Sequence, residues 1–344
     1  MAALPSPRKT SPNNVHWLQH HWYRITPLHL ILLPLSLLFR ALVALRRALY
    51  RFGILSSHRL RLPVIVVGNI SVGGTGKTPL TLALAQQLID RGWHPLIISR
   101  GYGSASVQPQ HVAAHNTSQE VGDEPLLMAR RDICPVWIGR DRVATASAAM
   151  QAHPQCDVVL CDDGLQHYRL QRDVEIAVID GARRFGNGWL LPAGPLREPV
   201  SRLRTVDAVV VNGGDAPAGQ YAMRLTGDVF YNLLDPNRTA IAGDFHRSKV
   251  HAVAGIGHPQ RFFRHLESMG ISCTPHAFPD HHPYRATDLS FAECDAILLT
   301  EKDAVKCAVF ADEKYWVLRV EAQIDSALLE HILRKIKSHG LKTA

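Results

Sequence analysis

Acidic residues are missing from the first 62 positions, which carry nine lysines and arginines. The rest of the chain holds 29 basic against 30 acidic residues, so the net charge of +8 belongs to that one segment. A nucleic-acid footprint spread over a basic domain is therefore excluded, and no nucleic-acid partner is expected. The six cysteines (134, 156, 161, 273, 294, 307) form no C-x-x-C pair and no zinc spacing. That argues against a disulfide framework and a structural zinc site, and points to a reducing compartment. No clean membrane-length apolar run is present either. The most apolar stretch, 28–39, includes His29, Pro34 and Ser36, and extending it to residue 45 encloses Arg40. A full span needs about 20 predominantly apolar residues.

Apolar residues make up 46% and charged residues 20% of the 344, which is ordinary for a globular chain and excludes collagen and low-complexity classes. Residues 1–14 are rich in Pro, Ser and Asn and read as a disordered extension. Residues 15–62 read as a membrane-associated helical segment. Trp17, Trp22 and Tyr23 precede its apolar run, and arginines 40, 46, 47 and 51 line its second half. Aromatics at an interface and arginines near anionic lipid both suit a helix lying in the interface or a single marginal anchor. A buried core helix is the competing reading. No cleavage site of small residues follows the run, so a signal peptide is not expected.

From residue 63 short runs of Val, Ile and Leu alternate with helical patterns. The runs are 63–67, 95–99, 135–139, 157–161, 174–179 and 208–211; the helical patterns fall near 77–91, 121–131 and 140–152. Uninterrupted apolar runs belong to strands buried on both faces, so the expectation is a parallel sheet with helices on both sides. Residues 63–212 are expected to form this core, 213–245 a hairpin-like connector, and 246–344 a smaller α/β domain. The fold class is therefore α/β, of P-loop NTPase type, with a second domain and an N-terminal helix.

The first run leads into Gly68-Asn-Ile-Ser-Val-Gly-Gly-Thr-Gly-Lys-Thr-Pro79. This is a Walker A loop in which Ser71 stands where the first glycine is usual. The physics tolerates the change. Ser71, Val72, Gly73, Gly74, Thr75 and Gly76 can turn backbone N–H groups toward phosphate oxygens, Lys77 supplies charge to the β- and γ-phosphates, and Thr78 offers a hydroxyl to Mg²⁺. Position 72 is not the lysine of partition-type ATPases, and no N-K-x-D guanine reader occurs. A P-loop needs a second carboxylate handle at the end of a neighbouring strand, and Asp162-Asp163 after four apolar residues supplies one. An aspartate pair there is also ordinary turn chemistry when it stands alone.

Further strings become informative together: SRGYG (99–103), VGDEP (121–125), DDGLQH (162–167), LPAGPLREP (191–199), GIGHPQRF (255–262), FPDHH (278–282) and TEKDAVK (300–306). With the variant P-loop they resemble the tetraacyldisaccharide 4′-kinase family over residues from about 15 to 335. Ser71 matches that family's pattern. The resemblance implies ATP-dependent phosphorylation of the 4′-hydroxyl of an acylated glucosamine disaccharide 1-phosphate, with Mg²⁺, at the cytoplasmic face of the bacterial inner membrane.

It also implies roles for particular residues. Asp123 of VGDEP matches the family's catalytic aspartate and is assigned as general base, with His281 of FPDHH as its partner across the cleft. Taken locally, Asp123 and Glu124 equally suit the first turn of a helix, and His281 and His282 equally suit a solvent-facing pair. Glu124, Asp162 and Asp163 join Thr78 as Mg²⁺ candidates. Arg100, Arg142, Gln166 and Arg197 are candidates for the disaccharide or its 1-phosphate, since arginine forks fit phosphate; surface ion pairing is their alternative. Lys302 and Asp303 read as a helix-start pair outside catalysis, and His282 receives no role. The rival function is a membrane-associated P-loop ATPase or switch.

Overall fold

Strands made of Val, Ile and Leu have no polar face to offer water, and the molecule buries them between helices. In the computed structural model, which describes residues 21–24 and 26–340, β1 (Val64–Gly68), β2 (Pro95–Ser99) and β5 (Val158–Asp162) are buried along their whole length. With β3 (Gln110–His111), β4 (Val136–Ile138), β6 (Val174–Asp180), β7 (Ala208–Asn212) and β8 (Tyr221–Thr226) they build one sheet. Its order is β15-β8-β7-β6-β1-β5-β2-β4-β3, parallel except at its two edges, where β3 and β15 (Glu321–Ile324) run antiparallel. A second sheet, ordered β10-β9-β14-β13-β11-β12, comprises β9 (Val229–Asn232), β10 (Thr239–Ile241), β11 (Val250–Ala254), β12 (Cys273–Ala277), β13 (Ala296–Thr300) and β14 (Tyr315–Leu318). The α/β expectation, with parallel strands in both units, is met.

The described helices are α1 (Leu28–Arg51), α2 (Lys77–Asp90), α3 (Ser118–Val121), α4 (Asp123–Arg130), α5 (Arg142–Ala152), α6 (Pro259–Ser268), α7 (Glu301–Cys307) and α8 (Ser326–Gly340). Leu80, Leu84 and Leu88 of α2 and Leu126 of α4 fill one face of the first sheet, and Ala146 and Ala149 of α5 fill the other.

The division between units differs from the sequence expectation. Residues 213–245 are not one connector: β8 pairs parallel with β7 in the first sheet, and β9 and β10 form a hairpin in the second. The end of the chain also leaves the second unit. β15 pairs with β8, and Leu328, Leu329, Ile332, Leu333 and Ile336 of α8 join the core of the first sheet. The physical reason is that β8 would otherwise be an open edge, and an antiparallel strand closes it.

Helix α1 is continuous through Pro34 and leaves Leu30, Ile31, Leu35, Leu38, Leu42 and Leu45 exposed. Its mean hydropathy is 2.2 and only 11% of its apolar window is buried, so it is not the buried core helix. One edge is anchored: Ser36 Oγ donates to the Leu190 carbonyl at 2.8 Å, and Phe39 packs on Ile70, Leu190 and Leu196. Ile70 belongs to the P-loop, so the apolar helix stands directly beside it. Residues 1–14, and Trp17 with them, lie outside the described residues.

Candidate active site

The P-loop runs from β1 into α2. Gly76 has φ +94°, a left-handed geometry open mainly to glycine, and a Cβ there would lie 2.3 Å from Asn212 Nδ2. That asparagine donates to the Thr75 carbonyl at 2.9 Å, and Asn69 Nδ2 reaches Thr75 Oγ1 at 3.3 Å. Ser71 and Val72 are tied to the loop before Arg197: Ser71 bridges Leu196, and the Val72 N–H donates to the Pro195 carbonyl at 2.8 Å. Arg183 donates to the carbonyls of Gly74 and, at 3.1 Å, Gly257, so it straps the loop to the second unit. Lys77 and Thr78 open α2, which directs its N-terminal amides and partial positive charge into the loop.

Asp162 ends β5 fully buried. One carboxylate oxygen accepts from Thr81 Oγ1 at 3.1 Å; the other is buried without a hydrogen-bond partner. Burial raises its pKa, with the Glu124 charge adding to the effect. A buried carboxylate oxygen without a donor is the feature a divalent cation would satisfy, and Thr78 lies in the same helix turn as Thr81, which bonds the other oxygen, so these two residues fit Mg²⁺. Asp163 is differently held. Burial pushes its pKa up, but Lys77 at 3.5 Å and Arg197 at 3.3 Å outweigh that and bring it down to about 2.

Gln166 donates to the Asn69 carbonyl at 3.0 Å, facing the base of the loop. Arg142 is 3% exposed at the start of α5, bonded to the Gly139 carbonyl at 3.4 Å and electrostatically felt by Asp163. Arg100 is exposed just after β2. Of the four arginine and glutamine candidates, Arg197, Gln166 and Arg142 thus gather under the P-loop, and Arg100 stands at the surface.

Opposite the loop, Gly122 separates α3 from α4. Its φ is +89°, and a Cβ would lie 2.6 Å from the Tyr102 carbonyl, so a glycine here lets the SRGYG turn press against the start of α4. Asp123 and Glu124 then occupy the first turn of α4. Asp123 Oδ2 lies 3.0 Å from His281 Nδ1, contributed by the second unit. His281 itself has φ +60°, a strained value for a histidine, of the kind that clusters at functional sites. Lys302, at the start of α7, reaches Glu124 at 3.1 Å, Asp280 at 3.0 Å and His281 Nε2 at 3.3 Å. Burial lowers the Lys302 pKa, but the two carboxylates more than reverse it and the ammonium is held well above its ordinary value. His282 turns away to Asp288. The sequence set Lys302 outside catalysis and gave Asp280 and Arg183 no role. Nothing in TEKDAVK distinguishes a lysine that faces the cleft from one that merely opens a helix.

A cavity of about 630 Å³ lies between the units. Its polar wall is the P-loop from Gly74 to Thr78 with Glu124 and Lys302; Leu127, Ile256, Phe262, Leu318 and Val320 supply apolar surface. A polyphosphate cradle that continues into an apolar chamber suits a mononucleotide.

A parallel sheet carrying this loop, with a carboxylate at the end of the neighbouring strand, defines a nucleotide-binding protein of the P-loop NTPase type. The chain belongs to the tetraacyldisaccharide-1-P 4′-kinase (LpxK) family, whose model matches residues 28–337. It is 51% identical over 320 residues to the tetraacyldisaccharide 4′-kinase of Methylobacillus flagellatus, covering 93% of this chain and 96% of that one. It is 52% identical over 346 residues to the enzyme of the same name from Azoarcus sp. strain BH72, covering 99% of each. A crystal structure of LpxK from Aquifex aeolicus, described as an "apo" form in complex with ATP, matches with a TM-score of 0.76 at 30% identity, over 90% of this chain and 99% of that one.

Proposed function

We propose that this chain transfers the γ-phosphoryl group of ATP to the 4′-hydroxyl of tetraacyldisaccharide 1-phosphate, with Asp123 as the base. The observation that carries the reading is the Asp123–His281 pair at 3.0 Å, joined through Lys302 to the wall of the cavity that the P-loop lines. The sugar oxygen attacks phosphorus, the bond to the ADP oxygen breaks, and the hydroxyl proton passes to Asp123. Lys77 and the loop amides neutralise the transferring group. Lys77 pairs with Asp163 at 3.5 Å; nucleotide phosphate would take the place of that carboxylate, with Arg197 at 3.3 Å left to balance Asp163. Mg²⁺, when bound, would supply positive charge that offsets the phosphate charge. Thr78 and Asp162 would hold it, whereas Glu124 is engaged by Lys302 and Asp163 by two cations. Arg100, Arg142, Gln166 and Arg197 remain the proposed set for the acceptor, Arg100 directly and the others by shaping the floor beside Asp163.

The same reading places the reaction at a membrane. The bare apolar face of α1 and its arginines fit an anionic bilayer surface, and Phe39 against Ile70 brings that surface to the P-loop. An acceptor with four acyl chains then meets the phosphate donor without leaving lipid. Localisation at the inner face of the bacterial inner membrane is part of this proposal, and the exposed apolar face of α1 and an acylated acceptor support it.

Asp123→Ala tests the base. Turnover should fall by about 10²–10⁴-fold with ATP affinity nearly unchanged. Near-normal turnover with the acylated disaccharide would remove Asp123 from this role.

A further inference from the structure

We propose that Lys302 is a positioning residue that fixes the ring tautomer of His281, and through it which oxygen of Asp123 receives the substrate proton. The inference rests on Asp123 being the base. A lysine ammonium has three N–H donors and no acceptor. Three acceptors surround Lys302 Nζ: Glu124 Oε1 at 3.1 Å, Asp280 Oδ1 at 3.0 Å and His281 Nε2 at 3.3 Å. The donor count matches the acceptor count, so the ammonium is held in one orientation. Its side chain is partly buried, 16% exposed, and the two carboxylates keep it charged.

Only one form of His281 satisfies both of its neighbours. Nε2 faces a donor, so it must carry the lone pair. Nδ1 faces Asp123 Oδ2 at 3.0 Å, so it must carry the hydrogen. The opposite tautomer would set N–H against ammonium on one side and lone pair against carboxylate on the other. With hydrogen on Nδ1 the ring donates to Asp123 Oδ2, and Nε2, facing the Lys302 ammonium at 3.3 Å, accepts from it. That leaves Oδ1 to accept the hydroxyl proton. Asp123 acts on the substrate; Lys302 acts through His281.

Two further features support the arrangement. The strained backbone of His281 and the Tyr102 ring 5.3 Å from the imidazole hold the ring in place. Asp280 is the neighbouring residue, and its pKa, raised by burial, is brought below the ordinary value chiefly by Lys302, so it stays an acceptor.

The test uses the full chain in detergent, labelled with ¹⁵N-histidine. The His281 ring signals are assigned by their loss in His281→Gln. The expected result in the unmodified protein at neutral pH is protonated Nδ1 and unprotonated Nε2. A ring protonated at Nε2, or an even mixture, would overturn the proposal without any variant having to fold. In Lys302→Met only Asp123 is left to hold the tautomer, so the Nδ1 preference should weaken toward a mixture and kcat should fall roughly 10²-fold with KM for ATP little changed, as expected for a misoriented imidazole. Lys302→Arg, which keeps charge and donors, should recover the tautomer and part of kcat. A Lys302→Met protein that keeps both the tautomer and its turnover also contradicts the proposal. The two readings fail separately. Asp123→Ala with normal turnover removes the base whatever the tautomer, whereas an Nε2-protonated ring removes the role of Lys302 whatever Asp123 does.

Discussion

Charge exchange organises the site residue by residue. Lys77 pairs with Asp163, Lys302 with Glu124 and Asp280, and Arg197 with Asp163, so carboxylates balance these three cations. His167, in the DDGLQH string, marks the opposite case. Burial, then the charges of Arg142 and Arg172, lower its pKa to about 4 from an ordinary 6.5, so it stays neutral in the fold. The unfolded chain binds a proton there more readily, so stability should be fully present above pH 6.5 and should be lost as pH falls toward 4. Thermal melts across that range should show a shallower acid limb in His167→Gln than in the unmodified chain. Parallel limbs would mean that His167 is not the group responsible. At this scale, legibility followed distance along the chain. Gly76, Lys77, Thr78 and Asp162 were readable because a strand, a turn and a helix start constrain neighbours. Lys302 was not, because its partners Glu124 and Asp280 lie 178 and 22 residues away in sequence.

Among the elements, α1 carries the membrane reading. Leu35, Leu38 and Leu42 are more than half exposed on its outer face. Moving each from water into hydrocarbon is worth about 1.5–3 kcal/mol, enough for three to decide binding. Replacing all three with serine should abolish flotation with anionic phospholipid vesicles while leaving the melting temperature of the body unchanged. Undiminished flotation would contradict a membrane role for this face. The helix itself was only partly legible. Pro34 falls inside the apolar run, and the helix continues through it from Leu28 to Arg51. Exposure of its carbonyls to solvent or lipid headgroups leaves room for the lost bond. The central strands were legible because burial on both faces leaves an unbroken Val/Ile/Leu signature. The helix expected over 121–131 is divided at Gly122, and that division is what presents Asp123 and Glu124.

Over the whole molecule, two sheets meet at a cleft and the chain crosses between them more than once. It passes from β8 to β9, and returns from β14 to β15 before α8 packs on the first core. Neither return was legible, since β8 and β15 are short, alternating and half exposed, the weakest signature a strand can leave. The consequence is that the unit bearing His281 and Lys302 is tethered beside the P-loop by paired crossings, with Arg183 and the Arg131–Glu301 ion pair at 2.8 Å spanning the seam. On the proposed function, this arrangement would serve transfer to a large acceptor entering from the side of α1. It also separates the kinase from the rival ATPase, because both would bind nucleotide and only one needs the acceptor. The direct measurement is a phosphotransfer assay with ATP labelled at the γ-phosphate and purified tetraacyldisaccharide 1-phosphate in detergent. The label should appear on the 4′-oxygen of the lipid, turnover without lipid should be slow, and Lys77→Ala should abolish both. Release of labelled inorganic phosphate at an unchanged rate with or without the disaccharide, and no labelled lipid, would contradict it.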